Sequence, residues 1–351
     1  MRVGFVSTYA MNASIRTQTM RMQSQLSQAQ LEVATGKKAN IGLELGSMTS
    51  QLVSIENQIQ MIERIQTTTS FVTNRMAIMQ NSMASIITSG QDFVGQLTVE
   101  VNGALDRDLL EQIGTSALDH FTSTLNTTFK GEYVFSGINT DVAALNEYDP
   151  DDGGGSAAKT AVIAAFTTEF GFAPSSPLAT NITATELETF IDGPFADLFD
   201  DTNWPALWSG SSDRGMRSKI SPMELAENPT TAQGNVFREI TAAVILIKEF
   251  SQTEFSDSAN SMLATKALEG MAQGVNNLAA EQSKIGTVEK RIEEANERME
   301  YQRNILREQA MTYENVDPYE VATRLNQLSI SLEASYRATA KLQQLSLMNY
   351  I

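Results

Sequence analysis

The chain has no cysteine, a single histidine, and only eight prolines, most of them crowded into one stretch. Without cysteine there are no disulfides, no thiol nucleophile and no thiolate metal site. With His120 alone, a histidine-rich metal centre is excluded. Aromatic residues make up only 7% of the 351. No apolar run approaches the ~18 residues that a membrane-spanning helix needs. The opening segment, Met1-Arg-Val-Gly-Phe-Val-Ser-Thr-Tyr9, has too short an apolar stretch for a secretory signal, which wants roughly 7–15. The expectation is no membrane insertion, and export, where it occurs, without a cleaved signal peptide. There is also no G-x-S-x-G elbow, no G-x-x-x-x-G-K-[ST] loop and no G-x-G-x-x-G turn. The chain reads as a non-enzyme with no cofactor, no catalytic residue and no metal site.

Three partial signals fail on inspection. His120 lacks the partners that acid–base catalysis requires and reads as a helix-surface or packing residue. Asp149, Asp151 and Asp152 precede a glycine run, as in part of a calcium loop. The twelfth position of that pattern should be glutamate; here it is Thr160. Asn126-Thr-Thr and Asn181-Ile-Thr match the N-glycan acceptor, a pattern short enough to arise by chance.

What is present is charge, and its distribution is uneven. The net charge is −17. Residues 1–100 sum to +1, 101–130 to −2, 131–234 to −12 and 235–351 to −4. An acidic middle favours solubility and repels like-charged partners. Nucleic acid needs a basic stripe that releases counterions, so it is not an expected partner.

Proline placement draws the domain map. Pro150, Pro174, Pro177, Pro194, Pro205, Pro222 and Pro229 lie in the middle, and Pro318 stands alone in the second flank. Proline costs ~3 kcal/mol inside a helix, so the flanks are free to be helical and the middle is not. The first flank carries Met11, Ile15, Met22, Leu26, Ala29 and Val33 at spacings of three or four, with Gln18 as a polar member. Gly36 marks a cap or loop. From Ile41 the stripe runs through Leu45, Met48, Leu52, Ile55, Ile59 and Ile62, then Val72, Met76, Met79, Met83, Ile86, Phe93 and Leu97. One helix of about 57 residues would run about 85 Å at ~1.5 Å per residue, a length that suggests a coiled coil. A shorter helix is expected near 106–130. In the second flank, Val236, Ile240, Val244 and Ile247 open a helix, and Ile285, Val288, Ile292, Ala295, Met299, Leu306, Tyr313 and Val316 follow heptad spacing. Asp317-Pro318 should start a new helix, since aspartate caps well and proline suits the first turn.

The expected fold class is mainly α: long terminal helices form a coiled-coil bundle around an inserted small β-rich or mixed domain. The arms are 1–40 and 319–351, the bundle is 41–130 with 235–318, and the acidic insert is 131–234. Within the insert, Gly131–Gly137 reads as a short strand between glycines and 149–156 as a loop. Ala161–Phe166 is compatible with strand or helix, and Thr185–Phe190 and Pro194–Phe199 read as short helical pieces.

The inner stripes read as bundle core. The arms read differently. Two helices paired alone bury about six side chains each, too little to order about 60 residues. Their apolar faces should therefore be completed by other copies. The expected subunit-packing residues are Met11, Ile15, Met22, Leu26 and Val33 in the first arm, and Val321, Leu325, Leu328, Leu332, Leu342, Leu345 and Leu347 in the second.

Two stretches give this arrangement a family likeness. One is Gly131-Glu-Tyr-Val-Phe-Ser-Gly137. The other is the tail, Asp317-Pro-Tyr-Glu-Val-Ala-Thr-Arg-Leu-Asn-Gln-Leu328 through Leu332-Glu-Ala-Ser-Tyr336 to Leu345-Ser-Leu-Met-Asn-Tyr-Ile351. With them the chain resembles the flagellin superfamily, and within it the hook-associated protein 3 family of hook–filament junctions, over roughly 1–137 and 236–351. Thr35-Gly-Lys-Lys38 is similar to the Ser-Gly-Lys-Arg-like turn of relatives, but 39–50 lacks their paired aspartates. The resemblance implies rings in an extracellular flagellum that join the hook, through another hook-associated protein, to the flagellin filament. It also implies type III export with a chaperone on the C-terminal arm. The alternatives are a flagellin, the filament subunit itself, or a non-flagellar coiled-coil adhesin.

Overall fold

In the computed structural model, residues 8–102, 106–150 and 155–348 are described, and they are mostly helical. The chain divides into two compact units. A terminal unit joins Met1–Glu63 to Glu300–Ile351, and a central unit spans Arg64–Met299.

The terminal unit starts with α1 (Thr8–Thr35), which stops where Gly36 adopts φ +70°. A five-residue helix α2 (Ile41–Leu45) and a 3-10 turn (Gly46–Met48) follow before α3 (Thr49–Asn102) begins. The single helix expected from Ile41 is thus broken at Gly46, whose φ of +53° lies in the left-handed region that favours glycine. α8 (Asp257–Glu314) returns alongside α3, and α9 (Pro318–Met348) follows Asp317 as its cap spacing predicts. Asp317 Oδ1 accepts from Tyr319 N at 2.8 Å, and its carbonyl accepts from Val321 N at 3.0 Å. In this unit α3 and α8 pair antiparallel: Tyr313 O–H meets Gln51 at 3.2 Å and Arg307 meets Glu63 at 2.7 Å.

In the central unit the same two helices continue antiparallel. Gln80 and Gln282 exchange side-chain bonds to each other's carbonyls at 3.0 and 3.2 Å, and Thr69 meets Asn296 at 2.9 Å. Met76, Met79, Met83, Ile285, Ile292 and Ala295 are buried, as the heptad stripes require. α4 (Arg107–Leu125) is capped by Asp106, which accepts from Asp108 N and Leu109 N. α7 (Asn235–Phe250) packs on it so closely that a Cβ on Gly114 would lie 2.7 Å from Lys248 N.

The insert is mixed, with little strand. β1 (Thr128–Phe129) pairs with β2 (Glu132–Tyr133), and β3 (Arg217–Ser221) with β4 (Glu224–Glu227), both antiparallel. Ala161–Phe166 lies inside helix α5 (Ala157–Phe170), and Thr185–Phe190 inside α6 (Ala184–Phe190), which opens on a Thr183/Glu186 capping box. Residues 191–208 form short 3-10 and π turns that accommodate Pro194 and Pro205. They are held by aromatics: Trp208 stacks on Tyr148 and Phe199, with ring centroids 5.8 and 4.7 Å apart. Asp151 and Asp152 of the acidic loop lie outside the described residues.

The Gly131–Gly137 stretch is a strand for only two residues. Val134–Gly137 is buried and bonds to loops instead. Ala232 N donates to Phe135 O at 2.8 Å and Ser212 N to Ser136 O at 3.0 Å. Gly137 has φ +65°, and a Cβ there would lie 2.4 Å from Arg214 O. The glycine is required because two backbones meet where it stands.

Candidate assembly interface

The arms α1 and α9 run antiparallel. Thr19 and Ser335 share a hydroxyl hydrogen bond at 3.0 Å, and Gln23 Nε2 donates to Tyr336 Oη at 2.5 Å. The seam uses Ile15, Thr19, Met22, Leu26, Ala29 and Glu32 against Val321, Leu325, Leu328, Leu332 and Ser335. Among side chains described in the arms, only Ala29 and Val321 are fully buried apolar residues. Ile15, Met22, Leu26, Leu325, Leu328 and Leu332 are partly covered, and Met11 is exposed. Val33, placed in the stripe by sequence, is 48% exposed, and Glu32 holds the seam position beside it. Thr19 likewise replaces Gln18 as the polar seam member. Leu342, Leu345 and Leu347 fall outside the residues whose side chains are described.

Helical spacing puts Glu32 rather than Val33 on the seam, and its partners make a charge there tolerable. Its carboxylate is 3% exposed, accepts from Ala39 N at 3.1 Å and pairs with the Arg324 guanidinium of α9. A buried charge is tolerated only when paired and hydrogen-bonded. Next to it, the Thr35-Gly-Lys-Lys38 turn meets the α8–α9 break. Lys37 Nζ is 2.5 Å from Glu314 Oε2, Lys38 N donates to Glu314 O at 2.9 Å, and Val316 N donates to Gly36 O at 3.1 Å. The carboxylate that meets Lys37 in this chain comes from the other flank. Hydropathy does not show these residues. The available signal is that the helices of both flanks break, at Gly36 and at Asp317-Pro318.

Exposed apolar side chains concentrate in this unit. Of the 21 large hydrophobic residues exposed among the described residues, 14 belong to the terminal unit. They include Met20, Leu31, Leu43, Ile330 and Tyr319, the last 87% exposed. The unit's charges balance at ten basic and ten acidic residues, while the central unit has fifteen and thirty-two. A surface without net charge that exposes several methionine, leucine and tyrosine side chains opposes association less than one of net charge −17.

A groove of about 750 Å³ in the central unit is lined by polar side chains that include Asp201, Ser211, Asp213, Thr230, Arg238 and Glu281. His120 lines a groove of about 410 Å³ between α3 and α4, with Nε2 3.2 Å from Ser85 Oγ and Nδ1 buried without a partner. No group of three or more histidine, aspartate or glutamate side chains among the described residues is placed to hold a metal. No described helix is long and apolar enough to cross a membrane.

Comparison with known proteins bears on the same two regions. Residues 6–140 match the bacterial flagellin N-terminal helical region, and 268–351 match the bacterial flagellin C-terminal helical region. No curated protein matches. Among solved structures, a chain from Vibrio parahaemolyticus assigned to the flagellar hook-associated proteins is similar at TM-score 0.50 and 14% identity, covering 76% of this chain and 96% of that one. FlgL of Bacillus cereus is similar at TM-score 0.45 and 12% identity, covering 74% and 99%.

Proposed function

This chain belongs to the flagellin superfamily, and from that premise we propose that it is the hook–filament junction subunit of a bacterial flagellum. Copies associate through the terminal unit into short rings. One side of the ring meets another hook-associated protein and the other meets flagellin. The reading includes location outside the cell, export through the flagellar type III apparatus and a chaperone on the C-terminal arm before assembly. The subunit-packing residues Met11, Ile15, Met22, Leu26, Val33, Val321, Leu325, Leu328, Leu332, Leu342, Leu345 and Leu347 belong to that proposal.

The observation that carries it is the separation of properties between the units. Neutral, apolar-studded helices sit in one, and nearly all the net charge sits in the other. Such a chain gains by packing its terminal units together, where no net charge opposes the contact. The Leu-Ser-Leu-Met-Asn-Tyr ending and the 131–137 stretch favour the junction over the filament subunit.

The test is genetic. A strain lacking this chain should bear hooks without filaments and shed flagellin into the medium. Filaments of normal length in that strain would reject the junction role. Long filaments formed by this chain alone would identify a filament subunit instead.

A further inference from the structure

The insert holds sixteen acidic and four basic residues between 131 and 234. Three of those four bases, Arg214, Arg217 and Lys219, lie in or beside one hairpin, β3–β4. Arg217 is balanced by Glu227 at 2.8 Å. Arg214 and Lys219 are exposed and have no carboxylate partner among the described residues. Three exposed large hydrophobic residues of the central unit lie here too. Met223 at the hairpin tip is 100% exposed, and Leu225 is 61% exposed opposite Lys219 in the register. Ile138 is exposed beside them, its N–H donating to Arg214 O at 3.1 Å.

The hairpin is held firmly. Its inner face buries Ile220 and Ala226. Glu224 is gripped by Arg291 at 2.9 Å and Arg298 at 3.3 Å, both from α8. A bare methionine at the end of a two-stranded ribbon gains nothing for the fold. A braced ribbon with apolar residues between unpaired cations is instead a contact surface, and its complement is acidic with apolar gaps.

We propose that this hairpin docks on the acidic central unit of a second copy of this chain. The central unit has thirty-two acids against fifteen bases, so another copy presents the matching charge. The contact joins unlike patches, so it propagates from one copy to the next. It goes beyond the junction reading and rests on it only in requiring that copies assemble.

The absence of cysteine makes the test clean. A benzophenone maleimide is attached to full-length Met223→Cys, and separately to Val33→Cys in the arm; each protein is concentrated and irradiated. The expected result is copy-to-copy crosslinks from both labels, those from position 223 mapping to central-unit segments. Adding R214E and K219E should cut the yield from position 223 about tenfold and leave that from position 33 unchanged. Crosslinks from position 33 alone would overturn the hairpin contact and leave the arm reading standing. Crosslinks from position 223 alone would do the reverse, and none from either would overturn both. Crosslinks from position 223 insensitive to the charge reversals, or confined to the terminal unit, would also overturn the proposal. Far-ultraviolet circular dichroism of each variant checks that the fold is kept.

Discussion

Glu32 holds a charge in the seam between two otherwise weakly packed helices, and its removal should show what that seam is worth. Glu32→Ala leaves Arg324 without its carboxylate and Ala39 N without its acceptor. Arg324 is half exposed and water can solvate it, so the cost is about 1–2 kcal/mol rather than the ~3–5 of a fully buried pair. Helical circular dichroism of the full chain should start to fall at a lower temperature in this variant and in Arg324→Ala. The double variant should be no worse than the more damaging single one; additive losses would mean that the pair does not act as a pair. Glu249 makes the opposite kind of contribution. Burial raises its carboxyl above the ordinary range, although it accepts from Tyr148 Oη at 3.0 Å and lies near Lys159. A raised carboxyl favours the protonated form in the folded chain, so the folded state loses stability as pH rises through that carboxyl's value. Relative to the native chain, Glu249→Gln should be near neutral at about pH 4 and stabilising at pH 7. Denaturation followed by the fluorescence of Trp204 and Trp208 reads this directly. A variant that is relatively weaker at pH 7 than at pH 4 would contradict it.

At the scale of elements, two glycines of the central helices should respond oppositely. Gly114→Ala drives a methyl against the backbone of α7, 2.7 Å from Lys248 N. Overpacking of this kind costs about 1–3 kcal/mol, or roughly 2–10 °C in melting temperature for a unit of this size. Gly95 lies in α3 with nothing within 4 Å of the place a methyl would occupy, so Gly95→Ala should stabilise by about 0.5–1 kcal/mol. Thermal melts of the two variants decide the sign of each. These elements also mark what is legible in the sequence. Helices with regular stripes, such as Met76–Met79–Met83 and Ile285–Ile292, are readable because their spacing is set by burial along one face. The Asp317-Pro318 start is legible because capping is local chemistry. The break at Gly46 is hidden because the apolar stripe runs across it unbroken. Residues 134–137 look like strand because β-branched and aromatic residues favour both strands and buried loops; their partners, at 212 and 232, are set by tertiary contact. Glu32 does not stand out because its partner Arg324 lies 292 residues away, and no periodicity in either helix relates them.

The whole molecule is organised by a division of labour between its units. The terminal unit has balanced charge, exposed apolar residues and a seam with two fully buried apolar side chains among those described. The central unit has a large aromatic core and the net charge. If other copies complete the arms, as proposed, the arms should be the least protected part of the free chain and among the better protected parts of the assembly. Amide hydrogen exchange on the same protein, dilute and assembled, measures this directly. Amides of α1 and α9 should slow by ~100-fold or more on assembly, equivalent to about 2.7 kcal/mol, while the buried core of the central unit changes little. Arms as well protected in the dilute chain as in the assembly would contradict it.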